Sequence, residues 1–270
     1  MTAERNRQKT PSKICSGGPN LLFYYITDRT QFPGNESSRC ERLLDKIAEA
    51  SRAGIDYIQL REKDLPAREL ESLAREAVQR VKESDMKSSV KPGGQRARLL
   101  INSRSDIALA VGADGVHLRA SDITAADARN LFAQAGVERP LIGVSCHSPQ
   151  AVRLAESQGA DFVVFGPVFE NHAVPGKTRR RLNTAEAGLD RLRDACASPL
   201  AAAARTPVLA LGGVTLHNFS QCLSCGAAGV AGIRLFQEND LSELVPTLRG
   251  RAGAQSKNAA QNRRHPYLPD

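Results

Sequence analysis

The residues with the most obvious chemistry lie in IQLREKD, residues 58–64, where an apolar run ends in four consecutive charges. Gln59, Arg61 and Lys63 alternate in this stretch. Alternate residues of a strand share one face, so an amide and two cations would stack in one line. Such a stack can hold a diphosphate, with the arginine binding two oxygens in a forked geometry. The alternative is a solvated strand end in which Arg61 pairs with Glu62. Elsewhere the chain offers no Ser-His-Asp set and no group of metal-binding histidines. Cys222 and Cys225 form the one C-x-x-C. No second C-x-x-C follows, and the pair lies in an apolar helical pattern, so both read as small buried residues.

The elements that must position these groups follow a repeating plan. Eight aliphatic runs occur at 22–27, 57–60, 99–102, 115–118, 141–145, 162–166, 207–213 and 229–233. Segments of helical period separate them, among them RLLDKIAEASRAG and SPQAVRLAESQGA, and SELVPTLRG follows the last. Several of the helical segments end in glycine, as at Gly54, Gly112, Gly159 and Gly226, consistent with left-handed helix closure. Strands buried on both faces and separated by helices predict a parallel sheet. Eight such units predict a single-domain α/β protein, a (β/α)8 TIM barrel over residues 21–250. An open doubly wound sheet is the runner-up, but the first turn lacks G-x-G-x-x-G. Residues 1–20 and 251–270 are polar and basic and read as disordered tails. The polar insertion at 85–98 precedes a strand start, on the face away from the chemistry.

In a barrel the chemistry gathers where the strands end. The third run contributes Asn102, Ser103 and Arg104; the fourth His117, Arg119, Ser121 and Asp122; the fifth Ser145 and His147. The sixth leads into Gly166, Pro167 and a long basic loop. Gly212 and Gly213 follow the seventh, and Ile233 and Arg234 the eighth. Glycines after strands seven and eight occupy the usual phosphate position, where N–H groups at a helix start hold an anion. Thr215 would cap that helix; a plain tight turn is the alternative. His117 and His147 read as packed or hydrogen-bonded barrel residues.

The net charge is +8, much of it in the two tails and in Arg179, Arg180 and Arg181. No element concentrates that charge with exposed aromatics between, so nucleic-acid binding is not expected. No apolar run is long enough to span a bilayer, and the first residues lack a secretory signal's apolar middle. A soluble, cytoplasmic protein acting on small molecules is expected, with homo-oligomerisation left open. With no tryptophan and few aromatics, alanine, leucine and valine are expected to fill the interior.

Taken together, YYITDR, IQLREKD, LLINSRSDIALAVGADGVHLRASD, IGVSCHS, DFVVFGPVF, VLALGGVT and GAAGVAGIRLF resemble thiamine-phosphate synthase and its relative, the thiazole tautomerase. The similarity runs from Phe23 to Gln237. It implies a (β/α)8 barrel that joins hydroxymethylpyrimidine diphosphate to thiazole phosphate, with Mg²⁺, and releases diphosphate. Diphosphate leaves the pyrimidine methylene and the thiazole nitrogen captures the cation, so the protein mainly positions charge. Carried over, Gln59, Arg61, Glu62, Lys63 and Asn102 bind the pyrimidine diphosphate. Arg61, Lys63, Ser145 and Lys177 assist its departure. Asp122 and Ser103 hold Mg²⁺, while Gly212, Gly213, Ile233 and Arg234 hold the thiazole phosphate.

The chain departs from the family pattern in three places. Ser103 stands where an aspartate is common, ENHAVPGKTRRR replaces a short T-x-T-K loop, and Arg234 stands where serine is common. Lys177 is the match for that loop's lysine. The tautomerase places a histidine where this chain has Pro167, which favours the synthase. Two other readings remain: an isomerase relying on His172, and a non-catalytic binder of a phosphorylated ligand.

Overall fold

A computed structural model describes residues 21–87, 96–169, 185–197 and 205–262. Eight strands alternate with helices. They are β1 (Leu22–Ile26), β2 (Tyr57–Leu60), β3 (Arg98–Asn102), β4 (Gly115–Leu118), β5 (Leu141–Cys146), β6 (Phe162–Phe165), β7 (Val208–Ala210) and β8 (Gly229–Gly232). Each pairs in parallel with its sequence neighbour, and β8 returns to β1, closing the expected barrel. The helices are α1 (Glu36–Ala53), α2 (Ala67–Lys87), α3 (Ser105–Val111), α4 (Ala125–Gln134), α5 (Pro149–Ser157), α6 (Ala185–Cys196), α7 (Phe219–Ser224), α8 (Arg234–Gln237) and α9 (Leu241–Asn262). No described helix is long and apolar enough to cross a membrane.

Two boundaries differ from the sequence reading. The last helix does not stop near residue 250 but continues as α9 to Asn262, into the segment expected to be a tail. Its Ala, Gln, Arg and Lys residues propagate a helix readily once one has started. Arg249 anchors it, donating to the Leu21 and Gly54 carbonyls at 3.0 Å and lying 4.8 Å over the Phe23 ring. In the same way α2 runs to Lys87, covering the first part of the expected 85–98 insertion; residues 88–95 lie outside the described set.

The interior also differs. Aliphatic side chains do fill the layer between strands and helices. Inside the barrel, however, an aromatic cluster of Tyr24, Tyr57 and Phe162 stands among Ile26, Leu100, Leu141, Val164 and Leu209. Tyr57 stacks on Phe162 at 4.8 Å, and Tyr24 meets Phe162 edge-on at 5.1 Å. Gly143 makes room for them: a Cβ there would stand 2.3 Å from the Phe162 ring and 2.8 Å from His117 Nδ1.

The face opposite the strand ends carries a repeated device that the sequence reading passed over. AGID, VGAD and QGAD each place an aspartate just before β2, β4 and β6. Asp56, Asp114 and Asp161 accept the N–H of Phe23, Leu99 and Ile142 at 2.8, 2.8 and 2.7 Å. Each aspartate also meets an arginine, Arg249, Arg96 and Arg129 respectively. The carboxylates thereby cap N–H groups at the starts of β1, β3 and β5, which would otherwise end unpaired.

The aromatic plug generates a stability prediction. Phe162→Ala should destabilise the fold by about 3–5 kcal/mol, as truncating a buried phenylalanine does, measured by urea denaturation. A loss under about 1 kcal/mol would mean the plug is loosely packed.

Candidate active site

The β2 end divides its charges by parity. Ile58 and Leu60 pack in the outer layer, so Gln59 points inward, where its Nε2 donates to Asn102 Oδ1 at 2.8 Å. Beyond the strand the even-numbered residues turn to the body of the protein. Glu62 is buried: Oε1 accepts from Thr27 Oγ1 at 2.5 Å, and Oε2 accepts from Arg29 N at 3.0 Å and Arg29 Nη1 at 3.1 Å. Asp64 receives a two-pronged bond from Arg29, at 2.7 and 2.8 Å. Arg29 is itself buried and also reaches Glu36 Oε1 at 2.5 Å. Three carboxylates hold its pKa above the ordinary arginine value.

Glu62 is therefore not placed to touch substrate, contrary to the sequence reading. Both of its oxygens are spent on Thr27 and Arg29, which also removes the Arg61–Glu62 surface pair as an alternative. The odd-numbered residues remain. Among the described residues neither Arg61 nor Lys63 has a carboxylate partner. Burial, then the positive charges of Arg61 and Arg119, hold Lys63 below the usual lysine range. Three cations thus share one region of the mouth.

Asn102 and Ser145 come from neighbouring parts of the same inner surface. Asn102 pairs in register with His117, and His117 with Gly143. Asn102 Nδ2 donates to Ser103 Oγ at 3.2 Å. Ser103 has φ 60, a left-handed conformation unusual for a residue with a side chain. Its N–H donates to the His117 carbonyl at 2.8 Å. Burial pushes Asp122 up, but bonds from Arg119, with the Ser103 side chain nearby, outweigh this and leave it below the usual carboxylate range. Arg119, named on the rim but given no role there, is thus part of the site.

His117 supports Ser145. Its Nε2 lies 2.8 Å from Ser145 Oγ, and its Nδ1, buried beside Tyr24, has no partner among the described residues. A buried unpaired N–H costs more than a buried lone pair. The proton therefore sits on Nε2 and is donated to Ser145, leaving the serine hydrogen free to point into the mouth. Burial lowers the His117 pKa to about 3, with Arg61 adding to the shift. His147 is likewise structural, with Nδ1 2.7 Å from the Gly166 carbonyl.

The glycine turn after β7 is built by close approach. Gly212 and Gly213 have φ 96 and 63. A Cβ on them would stand 2.6 Å from Pro167 Cβ and 2.7 Å from Phe169 Cβ. Phe169 N donates to the Gly212 carbonyl at 3.0 Å, locking the β6 and β7 ends together. Neither glycine N–H bonds a described residue, so both can serve an anion. Thr215 does not cap the helix as expected. Its Oγ1 accepts from His217 N at 3.3 Å within a turn, and α7 starts later, at Phe219. After the neighbouring strand β8, Ile233 and the exposed Arg234 open α8, whose first N–H groups have no intrahelical acceptor. Buried Gln237 ties that turn to β1: it accepts from Tyr25 OH at 2.9 Å and donates to the Asp28 carbonyl at 2.8 Å.

Lys177, Arg179 to Arg181 and His172 lie outside the described residues. Cys222 and Cys225 are free and buried as expected. Burial pushes the Cys222 thiol up to about 12.

A closed barrel with cations, amides and an anion-ready glycine turn at its strand ends defines an enzyme that handles phosphorylated small molecules. Comparison with known proteins agrees. The family model for thiamine monophosphate synthase matches residues 23–236. A thiamine-phosphate synthase of Chlorobium luteolum is 36% identical, over 70% of this chain and 77% of its own. One from Methanoculleus marisnigri is 33% identical, over 86% of this chain and 95% of its own. Among solved structures, thiamine phosphate pyrophosphorylase from Pyrococcus furiosus is 28% identical with a TM-score of 0.63, covering 86% of this chain and 95% of that one. The chain belongs to the thiamine monophosphate synthase family.

The parity of the β2 end is testable by contrast. Glu62→Ala should cost about 1–3 kcal/mol, because it removes the buried acceptor of Thr27 Oγ1 and Arg29 N and leaves those donors unpaired. Arg61→Ala should change stability by no more than about 0.5 kcal/mol. Equal losses in chemical denaturation would contradict the division. His117 adds a pH test. Its folded pKa lies below the unfolded value, so its stabilising contribution is complete above about pH 6.5 and is lost as pH falls toward 3. Relative to His117→Gln, the native protein should lose up to about 1.4 kcal/mol more per pH unit in that window. Parallel stability curves would show that His117 is not buried neutral.

Proposed function

We propose that the strand-end rim binds hydroxymethylpyrimidine diphosphate and thiazole phosphate and joins them into thiamine phosphate. The protein is a transferase of the thiamine-phosphate synthase type. The observation that carries the site assignment is the pair of uncompensated cations, Arg61 and Lys63, beside Gln59 and Asn102. Their natural carboxylate partners, Glu62 and Asp64, are already bound to Arg29.

The pyrimidine diphosphate lies with its phosphates against Arg61, Lys63 and the Ser145 hydroxyl, and with Gln59 and Asn102 beneath. The bond between its methylene carbon and the diphosphate oxygen breaks, and the electron pair leaves with the diphosphate. Arg61 and Lys63 stabilise that growing charge, and Ser145 adds a hydrogen bond because His117 occupies its lone pair. The thiazole nitrogen then bonds the methylene carbon. Gly212 and Gly213, with the backbone at Ile233 and the Arg234 side chain, hold the thiazole phosphate so that nitrogen and carbon meet. Lys177 is assigned a part in the departure of diphosphate by its match to the family's lysine alone.

Mg²⁺ is the metal this reading calls for. Among the described residues no three His, Cys, Asp or Glu side chains come together. Asp122 offers one largely buried carboxylate and Ser103 one hydroxyl. Mg²⁺ is commonly held by one or two carboxylates, with substrate phosphates and water completing its shell. The donors fit a metal shared with diphosphate, not one caged by the protein alone. When bound, the metal adds positive charge against the departing diphosphate.

The isomerase reading needs a histidine at the reacting atoms. Its candidate, His172, lies outside the described residues; the uncompensated cations Arg61 and Lys63 favour a diphosphate instead. We place the reaction in the cytoplasm, where free thiols such as Cys222 and Cys225 stay reduced.

Turnover with both substrates should be metal-dependent and yield thiamine phosphate and diphosphate. Arg61→Ala and Asp122→Ala should each lower kcat by about 100-fold or more. Full activity in both variants would remove this site assignment.

A further inference from the structure

Asp122 already has a cation. Arg119 Nη2 donates to its Oδ1 at 2.9 Å, Arg119 Nε lies 3.2 Å from the same oxygen, and Arg119 N donates to Oδ2 at 2.8 Å. The turn is closed by Asp122 N, which donates to the Arg119 carbonyl at 3.1 Å. The two partners differ in their surroundings. The Asp122 side chain is 11% exposed and the Arg119 side chain 54%. The carboxylate is held in place, while the guanidinium sits on a long stem in open space over the mouth. It is also near enough to Lys63 for its charge to be felt there, along with that of Arg61.

We propose that Arg119 is the resident counter-ion of Asp122, competing with a divalent cation for that carboxylate and, once displaced, serving as a third cation for the diphosphate. The inference rests on the diphosphate reading above. Its physical basis is exclusion: the side chain's two guanidinium contacts and a divalent ion cannot occupy Asp122 Oδ1 together. Two positive charges within a few ångströms repel strongly. Release leaves a forked donor, suited to bridging phosphate oxygens, beside two other cations. Arg119 is placed to help the metal and the diphosphate arrive together. Without diphosphate, Arg119 goes back to the carboxylate and opposes the metal. With diphosphate present, it has another anion to bind.

The test separates metal from phosphate and uses no turnover. Mn²⁺ alone is titrated into the full chain and followed by electron paramagnetic resonance. Inorganic pyrophosphate is titrated separately, in EDTA, by calorimetry. Arg119→Gln should bind Mn²⁺ about fivefold more tightly, the scale of one exposed ion pair, and pyrophosphate about fivefold more weakly. Arg119→Lys, which keeps the charge without the fork, should fall between native and Gln in both titrations. Adding Asp122→Asn to Arg119→Gln should erase the gain in Mn²⁺ affinity. Mn²⁺ affinity unchanged or lowered in Arg119→Gln would overturn the proposal, as would unchanged pyrophosphate affinity. A gain that survives Asp122→Asn would place the metal elsewhere and overturn it too. Because activity is not read, these outcomes are independent of whether the native protein makes thiamine phosphate.

Discussion

The buried guanidinium of Arg29 is the constraint on which the site depends. A buried cation needs its charge and its N–H donors satisfied. Glu62, Asp64 and Glu36 supply this from three places, and Thr27 shares the Glu62 carboxylate. The consequence reaches beyond stability. By drawing Glu62 and Asp64 to one side, Arg29 leaves Arg61 and Lys63 facing the mouth without neutralising partners. Uncompensated cations are costly unless an anion is expected, and Arg29 maintains that condition.

A second layer of order lies beneath the cations. The stacked Tyr57 and Phe162 rings, with Tyr24 against them, form a dry floor. His117 stands on that floor, kept neutral by burial, and turns a ring N–H toward Ser145. Polarity rises along the barrel axis, from aromatic rings through amide, imidazole and hydroxyl to the charged rim. Electrostatic interactions gain strength where water is thinned out. At the other end, Asp56, Asp114 and Asp161 tie strand starts to neighbours and to arginines. Stability devices and chemistry are thus kept at opposite ends of the same strands.

Much of this was legible in the chain. The eight aliphatic runs match the eight strands within a few residues, because a strand buried on both faces must be apolar throughout. The alternation of Gln59, Arg61 and Lys63 predicted their common face, since strand geometry has a period of two. Gly212 and Gly213 marked a place for a phosphate at the strand ends, though their close approach to Pro167 and Phe169 needed the fold to show it. The continuation of α9 past residue 250 was missed, because Arg249 and its partners Leu21, Gly54 and Asp56 are distant in sequence. The aromatic floor was missed because composition counts residues without locating them.

By itself, then, the sequence determined the barrel, the faces of its strands and the set of polar groups at its mouth, all of which follow from local periodicity. Only the tertiary structure decided which charges are spent and which are free. Glu62 and Lys63 are adjacent in the chain and look alike as rim residues. One is bound to Arg29 from the β1 end and the other is open to a ligand. Likewise Asp122 reads as a bare carboxylate, yet the fold of its turn sets Arg119 against it. Charge pairing depends on burial and on how each turn or element is folded, and the residue types in a stretch do not fix either.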